Sequence, residues 1–357
     1  RAERARLALV RGSSESAMLA TLVATSGLAL GARRCAAPRM VNSDSRPTQE
    51  YMDFLMGKGP EQETEDCGSI IVGDGRVGSM LYEFGQRKGL DDILVKRMDR
   101  IPELEAGGQL VRKPIYVCTR NDDLESILGM CPDARKEDLV FLQNGQLEPF
   151  KQKHGLYANT QACLWFAAMR KGAKPLDGIT SDGDGLTTAS GKWAGSLARR
   201  LETGGLTCNV VGDRDLRRNM LEKLIWISSF MLVGAVHGGI TVGEVEEKHK
   251  DEVVDIILEL ASFCRFTLAV SLKVDLEERL CEYARRVEFF PTALKEFEWR
   301  NGYFYRYSLM AGKRKNAAGL EYEMPDSTPI HTEYLMLAKE KGLISSAELE
   351  SVRPSFV

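Results

Sequence analysis

The chain has 357 residues, of which 43% are hydrophobic, so it is long enough for two domains with ordinary buried cores and is not a disordered protein. Its 48 basic and 51 acidic residues nearly balance, which gives no electrostatic reason to expect nucleic acid or a strongly anionic surface as a partner. The eight cysteines include no C-x-x-C pair and the four histidines lie far apart in the sequence, which predicts reduced thiols, a non-secretory compartment and no metal site.

Residues 1–60 have the composition of a targeting leader. Residues 1–40 contain seven arginines but only two acidic residues, Glu3 and Glu15, as organellar transit peptides do. The apolar stretch 17–30 is too short and too rich in Ser and Thr for a transmembrane helix; the alternative is a cleaved secretory-like segment of a bipartite plastid signal. We therefore expect an organellar protein, plastid (chloroplast) rather than mitochondrial, with a disordered leader and no membrane span in the mature chain.

Residues 66–212 alternate short apolar runs with helical patterns, which predicts an α/β domain of the Rossmann type. The predicted strands are "SIIVG", "DILVKR", "PIYVCT", "DLVFLQ", the stretch 157–169 and "LTCNVV". "GITSDGDGLTTASG" is predicted to be a turn-rich edge segment because Gly and Asp favour turns, and "KWAGSLARRLETGG" is predicted to be a helix.

Residues 213–357 show long helical patterns, which predict an all-helical domain for substrate binding or homodimer formation and an α/β plus α fold for the chain. The predicted helices are "DLRRNMLEKLIWISSFMLVGAV", "VGEVEEKHKDEVVDIILELASFCRFTL", "DLEERLCEYARRVEF", "TALKEFEWRNGYFYRYSLM" and "STPIHTEYLMLAKEKG". We expect the active cleft between the two domains, where ligand sites often form.

Three glycines with G-x-G-x-x-G spacing lie in "SIIVGDGRVGSMLYEFG", between the first predicted strand and a helical pattern. In that context the first glycine makes the tight turn, the second admits a pyrophosphate to the backbone, and the third lets the helix pack on the strand. The alternative is a plain strand-turn-helix connection. The loop therefore predicts a dinucleotide site made by Gly73, Asp74, Gly75, Arg76, Val77 and Gly78.

Three further strand ends are predicted to face this site. The second strand ends in Lys96, Arg97 and Arg100, which suit the 2′-phosphate of NADP, although Asp99 keeps NAD open and solvated surface charges are the alternative. The next two strand ends supply Thr119 and Arg120 and then Gln143, Asn144 and Gly145, although an Asn-Gly pair taken alone is most often a turn.

Together these segments resemble the ketopantoate reductase (2-dehydropantoate 2-reductase) family, from about Cys67 to the end of the chain. That family has an NADPH-binding Rossmann domain and a helical domain, and it reduces a 2-oxo acid to a 2-hydroxy acid. The resemblance implies that NADP(H) is lined by Gly73, Gly75, Gly78, Arg97 and Asn144, with Asn144 near the nicotinamide and Arg120 where the family commonly has a lysine. It also implies that Lys223 is the catalytic lysine, which donates a proton or hydrogen bond to the keto oxygen.

The chain also departs from the family pattern. Ile227 and Met231 stand where the family has substrate-binding asparagines, and Phe304 or a neighbouring tyrosine stands where it has a glutamate. The tyrosines Tyr303, Tyr305 and Tyr307 are more typical of core packing than of hydroxyl donors. "HGGITVGE" is predicted to be a helix-helix turn rather than the mouth of the cleft, and His331 is assigned to packing or solvent.

Three hypotheses about function follow. The first is an NADPH-dependent reductase of a 2-oxo acid or a less polar carbonyl substrate, with Lys223 as general acid and Asn144 as the orienting group. The second is a non-catalytic NADP(H)-binding protein with a structural or sensing role, which the apolar Ile227 and Met231 favour. The third is a true ketopantoate reductase whose polar groups are Ser228 or Ser229 and Glu296 or Glu298, which requires these glutamates to reach the cleft.

Overall fold

The computed structural model describes residues 63–96, 99–106, 108–180, 183, 185–315 and 319–354. The predicted leader, residues 1–60, therefore lies outside the described residues, as does Arg97.

The N-terminal half forms a seven-stranded sheet with flanking helices. Its elements in chain order are β1 (Ile70–Val72), α1 (Arg76–Arg87), β2 (Ile93–Val95), β3 (Glu105–Ala106), β4 (Gln109–Leu110), β5 (Ile115–Val117), α2 (Leu124–Met130), β6 (Leu139–Phe141), α3 (Glu148–Lys153), β7 (Gln161–Cys163), β8 (Thr188–Ser190), α4 (Ala194–Glu202) and β9 (Asn209–Val210). The sheet order is β2-β1-β5-β6-β7-β8-β9, and β3 and β4 form a separate small hairpin. The predicted Rossmann-type architecture is confirmed.

The sheet is parallel except where β7 meets β8. Ile70 pairs with Ile93 of β2 on one side and with Ile115 of β5 on the other. The residues of β1, β5 and β6 are buried on both faces, which explains why these strands appear in the sequence as continuous apolar runs. Because the strands β1, β2, β5, β6 and β7 run the same way, their carboxyl ends meet at one edge of the sheet.

The prediction that "GITSDGDGLTTASG" lies at the sheet edge was wrong. Its last part forms β8, which lies inside the sheet between β7 and β9, while β9 is the edge strand. The side chains of β8 are small and buried, and the Ser190 hydroxyl donates to Asp213 Oδ1 at 2.5 Å. The prediction failed because the preceding loop is rich in Gly and Asp, which dominate the local sequence pattern. The three residues of β8 form a strand because they pair with β7, and no local signal indicates that pairing.

The C-terminal half is mostly helical, and a small hairpin that the sequence did not predict interrupts it. Its elements are α5 (Asp213–Val236), α6 (Val242–Lys248), α7 (Lys250–Thr267), α8 (Leu276–Arg286), a 3₁₀ turn (Phe297–Trp299), α9 (Asn301–Ser308), β10 (Gly312–Lys315), β11 (Glu321–Met324), α10 (Pro329–Glu340) and α11 (Ser346–Ser351).

Two predicted helices are shorter than expected. The second predicted helix is divided into α6 and α7 at His249, whose φ of −131° is not helical. The fourth retains only a 3₁₀ turn and α9, because Glu296 has a left-handed φ of +49° that no α-helix accommodates. The break at His249 also brings its ring within 3.6 Å of the His237 ring between centroids, so the histidines are not all far apart in the fold.

Helix α5 is the central helix of the C-terminal half. It is long and apolar enough to cross a membrane by composition, but 83% of its most apolar window is buried inside the protein. Leu221, Ile225, Phe230 and Val233 are each fully covered by the surrounding elements. A helix that is apolar all round and covered in this way is typical of the core of a large domain.

A buried ion-pair network closes one side of the sheet. Arg200 of α4 is fully buried and donates to the carboxylate of Asp66 at 2.9 Å and to that of Asp92 at 3.0 and 3.1 Å. It also donates to the carbonyl oxygens of Cys67 at 2.8 Å and Leu81 at 3.1 Å. The network therefore joins α4 to α1 and to the segments leading into β1 and β2.

We expect Arg200→Met to lower the free energy of unfolding by about 3–5 kcal/mol, because it leaves the buried carboxylate of Asp92 without a cation in the described chain and that of Asp66 with only the ammonium group of Lys88, 3.3 Å away. Arg199→Met is the matched control, since Arg199 is 57% exposed and pairs only with exposed Glu202 among the described residues; it should change stability by less than about 0.5 kcal/mol. Urea unfolding of both variants measures the difference, and equal losses would contradict this account of the network.

Candidate active site

The three glycines of the first loop have the geometry that a dinucleotide site requires. Gly73 has a φ of +99°, which favours glycine in the turn. A Cβ on Gly78 would lie 1.8 Å from the carbonyl oxygen of Gly73, so helix and strand meet too closely for any side chain. A Cβ on Gly75 would meet no atom within 4 Å, so the space in front of this residue is open to a ligand.

Helix α1 begins directly after this open position. Its N-cap is Gly75 and no side chain caps it, so the amide groups of its first turn are directed toward the open space. Such amides, together with the helix dipole, bind phosphate groups. The loop thus fits the pyrophosphate of a dinucleotide.

The other residues predicted in this loop have different neighbours. Arg76 donates to the carbonyl oxygen of Ala168 at 2.8 Å, and Asp74 pairs with Lys171 at 3.5 Å, so both hold the segment that follows β7. Val77 is half-buried against the core on one face of the sheet. These three side chains contact other parts of the protein, whereas the glycines leave space for a ligand.

At the end of β2, Lys96, Asp99 and Arg100 are exposed, and Arg97 lies outside the described residues. Asp99 Oδ2 accepts the backbone N–H of Lys96 at 3.1 Å, so one of its oxygens closes a local turn.

The end of β5 lies beside the glycine loop, and the end of β6 lies next to that of β5. The Thr119 methyl group is 3.1 Å from where a Cβ on Gly73 would be. Arg120 is exposed and pairs with Asp122 at 3.1 Å. Asn144 is half-buried; its carbonyl oxygen accepts Asn121 Nδ2 at 2.7 Å, while its side chain makes no hydrogen bond within the described chain.

The side chain of Gln143, by contrast, forms hydrogen bonds that connect two strands. Its amide donates to the carbonyl oxygens of Val117 at 2.9 Å and Thr119 at 3.2 Å, which joins the carboxyl ends of β5 and β6.

Lys223 lies on α5, close to the carboxyl end of β7. It is only 8% exposed, and its Nζ is 5.5 Å from the centre of the Trp165 ring. No described residue forms a hydrogen bond or ion pair with its ammonium group. The pKa of Lys223 is lowered to about 8, mainly by burial; the charge interaction with Cys163 opposes the lowering, and the positive charge of Arg300 adds to it. A buried lysine without a partner is typical of a functional group rather than of a structural one.

Arg300 and Glu296 complete the site. Glu296 Oε1 accepts the backbone N–H of Asn121 at 2.9 Å, and its other oxygen pairs with Arg300. Arg300 Nε is buried and has no hydrogen-bond partner among the described residues. Burial lowers the pKa of Arg300, an effect that Glu296 opposes and the charge of Arg120 reinforces. The cluster is therefore rich in positive charge and retains an unsatisfied donor.

The sequence alone did not identify Arg300, although a Glu and an Arg four positions apart within the aromatic segment "KEFEWRNGYFY" were a usable signal. Glu296 was considered as an alternative acid, and the structure places it beside the β5 end, with its side chain 10% exposed. Glu298 is exposed, so it does not reach the cleft, as the hypothesis of a true ketopantoate reductase required of it.

The residues that depart from the family pattern lie in the core. Phe304 is fully buried and packs edge-on against Phe263 and His331. Ile227 is buried and Met231 packs against the same cluster. Ser229 donates back to the carbonyl oxygens of Ile225 and Trp226, while Ser228 Oγ is buried without a hydrogen-bond partner in the described part of the chain.

Two packing predictions are confirmed. Tyr303 is buried and contacts Phe304 and Tyr307 edge-on. His331 is fully buried, lies 3.0 Å from Asn301 Oδ1, and has its pKa lowered by burial to about 3.

The sequence matches no protein-family model and no curated protein. The fold, however, is similar to that of a PanE/ApbA family ketopantoate reductase from Ralstonia eutropha JMP134, with a TM-score of 0.52 and 16% identity over 77% of this chain and 99% of that one. It is also similar to D-mandelate dehydrogenase in complex with NADH, with a TM-score of 0.53 and 15% identity over 78% of this chain and 100% of that one. A ternary structure of D-mandelate dehydrogenase with NADH and anilino(oxo)acetate gives a TM-score of 0.51 and 14% identity over 80% of this chain and 99% of that one.

At sequence identities of 14–16%, the structural similarity is evidence for the fold alone. The chain has the ketopantoate reductase fold, a Rossmann-type domain followed by a largely helical region, and the resemblance inferred from the sequence is confirmed at that level. Function is a separate question, because one fold supports many activities and the site must decide among them.

Proposed function

We propose that the protein is an NADPH-dependent reductase of a 2-oxo acid or a related carbonyl compound. The observation that carries this proposal is the buried, unpartnered ammonium group of Lys223, within reach of the charge of Arg300, at the sheet edge where the glycine loop also lies. NADP(H) is the cofactor that the glycine loop and the cations Lys96 and Arg100 suit, and when bound it supplies the hydride.

Each group at the site has a distinct task. The amides of the first turn of α1 bind the pyrophosphate, and the Asn144 side chain orients the nicotinamide and the carbonyl group. Lys223, as an ammonium ion, donates its proton to the keto oxygen, where negative charge develops as the carbonyl is reduced. Arg300 binds the substrate carboxylate, for which its unpartnered Nε–H is a donor, and Glu296 holds Arg300 in place.

A non-catalytic NADP(H)-binding role is the second candidate. The apolar Ile227 and Met231 favour it, since polar recognition of a substrate is missing at these positions. A true ketopantoate reductase remains a narrower form of the first proposal, with Glu296 as its acid.

We also propose a homodimer formed through the helical region. The supporting observation is the exposure of three apolar residues, Leu258, Phe266 and Val274. We further propose a plastid location, which the composition of the leader supports.

NADPH oxidation by the full chain tests the function. The substrates are ketopantoate, a panel of 2-oxo acids with different side chains, and the methyl ester of each acid. We expect turnover of at least one 2-oxo acid and much slower turnover of its ester, because the ester lacks the charge that Arg300 binds. Tight NADPH binding with no turnover on any carbonyl would favour the non-catalytic role.

We expect Arg300→Gln to raise KM for the 2-oxo acid by about 10–100-fold, the value of one charge-assisted hydrogen bond. It also removes a positive charge near Lys223, so the pKa of Lys223 should rise from about 8 towards its ordinary 10.5. Reduction requires the protonated lysine, so the pH at which kcat/KM falls should move upward. Arg353→Gln is the control, because it breaks another local Arg–Glu pair, that of Arg353 with Glu350 on α11. An unchanged KM for the 2-oxo acid in Arg300→Gln would refute the role of Arg300.

A further inference from the structure

Two histidines and a glutamate from separate parts of the helical region meet at the surface. His237 ends α5, His249 lies between α6 and α7, and Glu252 is in the first turn of α7. His237 Nε2 is 2.8 Å from Glu252 Oε2, and His249 Nδ1 is 2.7 Å from Glu252 Oε1. The two imidazole rings stack with their centroids 3.6 Å apart and an angle of 21° between their planes.

We propose that His237, His249 and Glu252 form a zinc site, contrary to the expectation from the sequence that there is no metal site. One ligand atom from each residue lies within 4.8 Å of the others. Ligands of a tetrahedral zinc ion with bonds of about 2.0–2.2 Å lie about 3.4 Å apart. The three ligand atoms are therefore close enough to meet at one ion once the two stacked imidazole rings turn so that each nitrogen lone pair is directed at it.

The choice of metal follows from the ligand types. Two imidazoles and one carboxylate suit zinc and its neighbours among the divalent transition metals, whereas magnesium and calcium prefer oxygen ligands. The three side chains are 33%, 22% and 32% exposed for His237, His249 and Glu252, so an ion can enter from solvent and a water molecule can complete the coordination.

A fourth element supports the site. The Tyr334 hydroxyl, on α10, donates to Glu252 Oε2. Hydrogen bonds of this kind orient metal ligands and increase affinity. A zinc ion at this position would join the end of α5 to the α6–α7 junction and, through Tyr334, to α10, so its main effect is to stabilise the helical region.

The test uses the full chain, stripped of metal with a chelator and titrated with zinc against a chromophoric competitor. We expect one zinc ion per chain in this site, a rise in Tm of about 5 °C at saturating zinc, and at least tenfold weaker binding in His237→Ala and in His249→Ala. Glu252→Gln, which keeps the size of the side chain, should also weaken zinc binding. It distinguishes the loss of a ligand from a folding defect in the histidine variants.

His154→Ala is the matched control. His154 is 24% exposed and lies 3.0 Å from Glu125 Oε1, so it is a similar histidine–carboxylate pair without a second histidine. It should bind zinc as the wild type does. No binding at millimolar zinc, or equal binding by wild type, His237→Ala and His249→Ala, would overturn the proposal. So would thiolate-to-metal charge transfer in the cobalt-substituted protein, since it would assign the metal to cysteine.

Discussion

Lys223→Met is expected to lower kcat for carbonyl reduction by about 10²–10⁴-fold, the usual contribution of a positioned general acid. The pKa of Lys223 is about 8 in the protein without substrate, so wild-type kcat/KM should be constant at low pH and fall as pH rises through 8, where the ammonium group loses its proton. The variant has no acid to lose and should show no such fall. Steady-state NADPH oxidation between pH 6 and about 10, at substrate concentrations below and above KM, measures both effects.

Lys151→Met is the control for this prediction. Lys151 is also buried and its pKa is also lowered to about 8 by burial, but it donates to Asn159 O at 3.2 Å and to Gln161 Oε1 at 3.1 Å. Its replacement should destabilise the fold by about 1–3 kcal/mol, because two buried acceptors lose their donor, and leave kcat within a few-fold of wild type. If Lys223→Met retains full turnover and the same fall above pH 8, Lys223 is not the acid.

Gly75→Ala is expected to weaken NADPH binding by about 10–100-fold while the protein remains folded. The added methyl group meets no protein atom within 4 Å, so it does not strain the fold, but it occupies the space in front of the first turn of α1. A pyrophosphate held there would lose one or more charge-assisted hydrogen bonds, each worth about 1.5–3 kcal/mol. Titration of the variant with NADPH, followed by fluorescence, measures the loss.

Gly212→Ala is the matched control, because Gly212 is also a helix N-cap in the extended conformation and its Cβ would also meet nothing within 4 Å. Both variants should lose up to about 1 kcal/mol of stability, as alanine is a poor N-cap, but only Gly75→Ala should lose affinity for NADPH. Unchanged NADPH affinity in Gly75→Ala would show that the cofactor does not bind at this loop, and it would refute the reductase proposal.

Much of the fold could be predicted because the relevant signals are local. The strand-helix alternation and the glycine spacing each reflect neighbouring residues, and they identified β1, α1, β2, β5, β6 and α5. The apolar run after Lys223 predicted that its helix is buried, which the structure confirms. The division at residue 212 into a cofactor domain and a substrate domain stays a prediction, as do the roles of Lys223 and Asn144.

The remaining features depend on contacts between distant segments. Strand β8 lies in the sheet because β7 pairs with it, and no signal within its three small residues indicates that partner. Arg300 joins the candidate site because Glu296, with which it pairs, adopts a left-handed backbone and accepts the backbone N–H of Asn121, 175 positions earlier in the chain.

The sequence by itself therefore determined the Rossmann-type architecture, the position of the glycine loop and the burial of the helix that carries Lys223, because backbone conformation and burial patterns are set by residues a few positions apart. Only the tertiary structure decided that Arg300 lies near Lys223 and that His237 and His249 share one carboxylate. Both arrangements depend on long-range packing, where the charge and hydrogen-bond partners of a side chain are set by segments that are remote in the sequence.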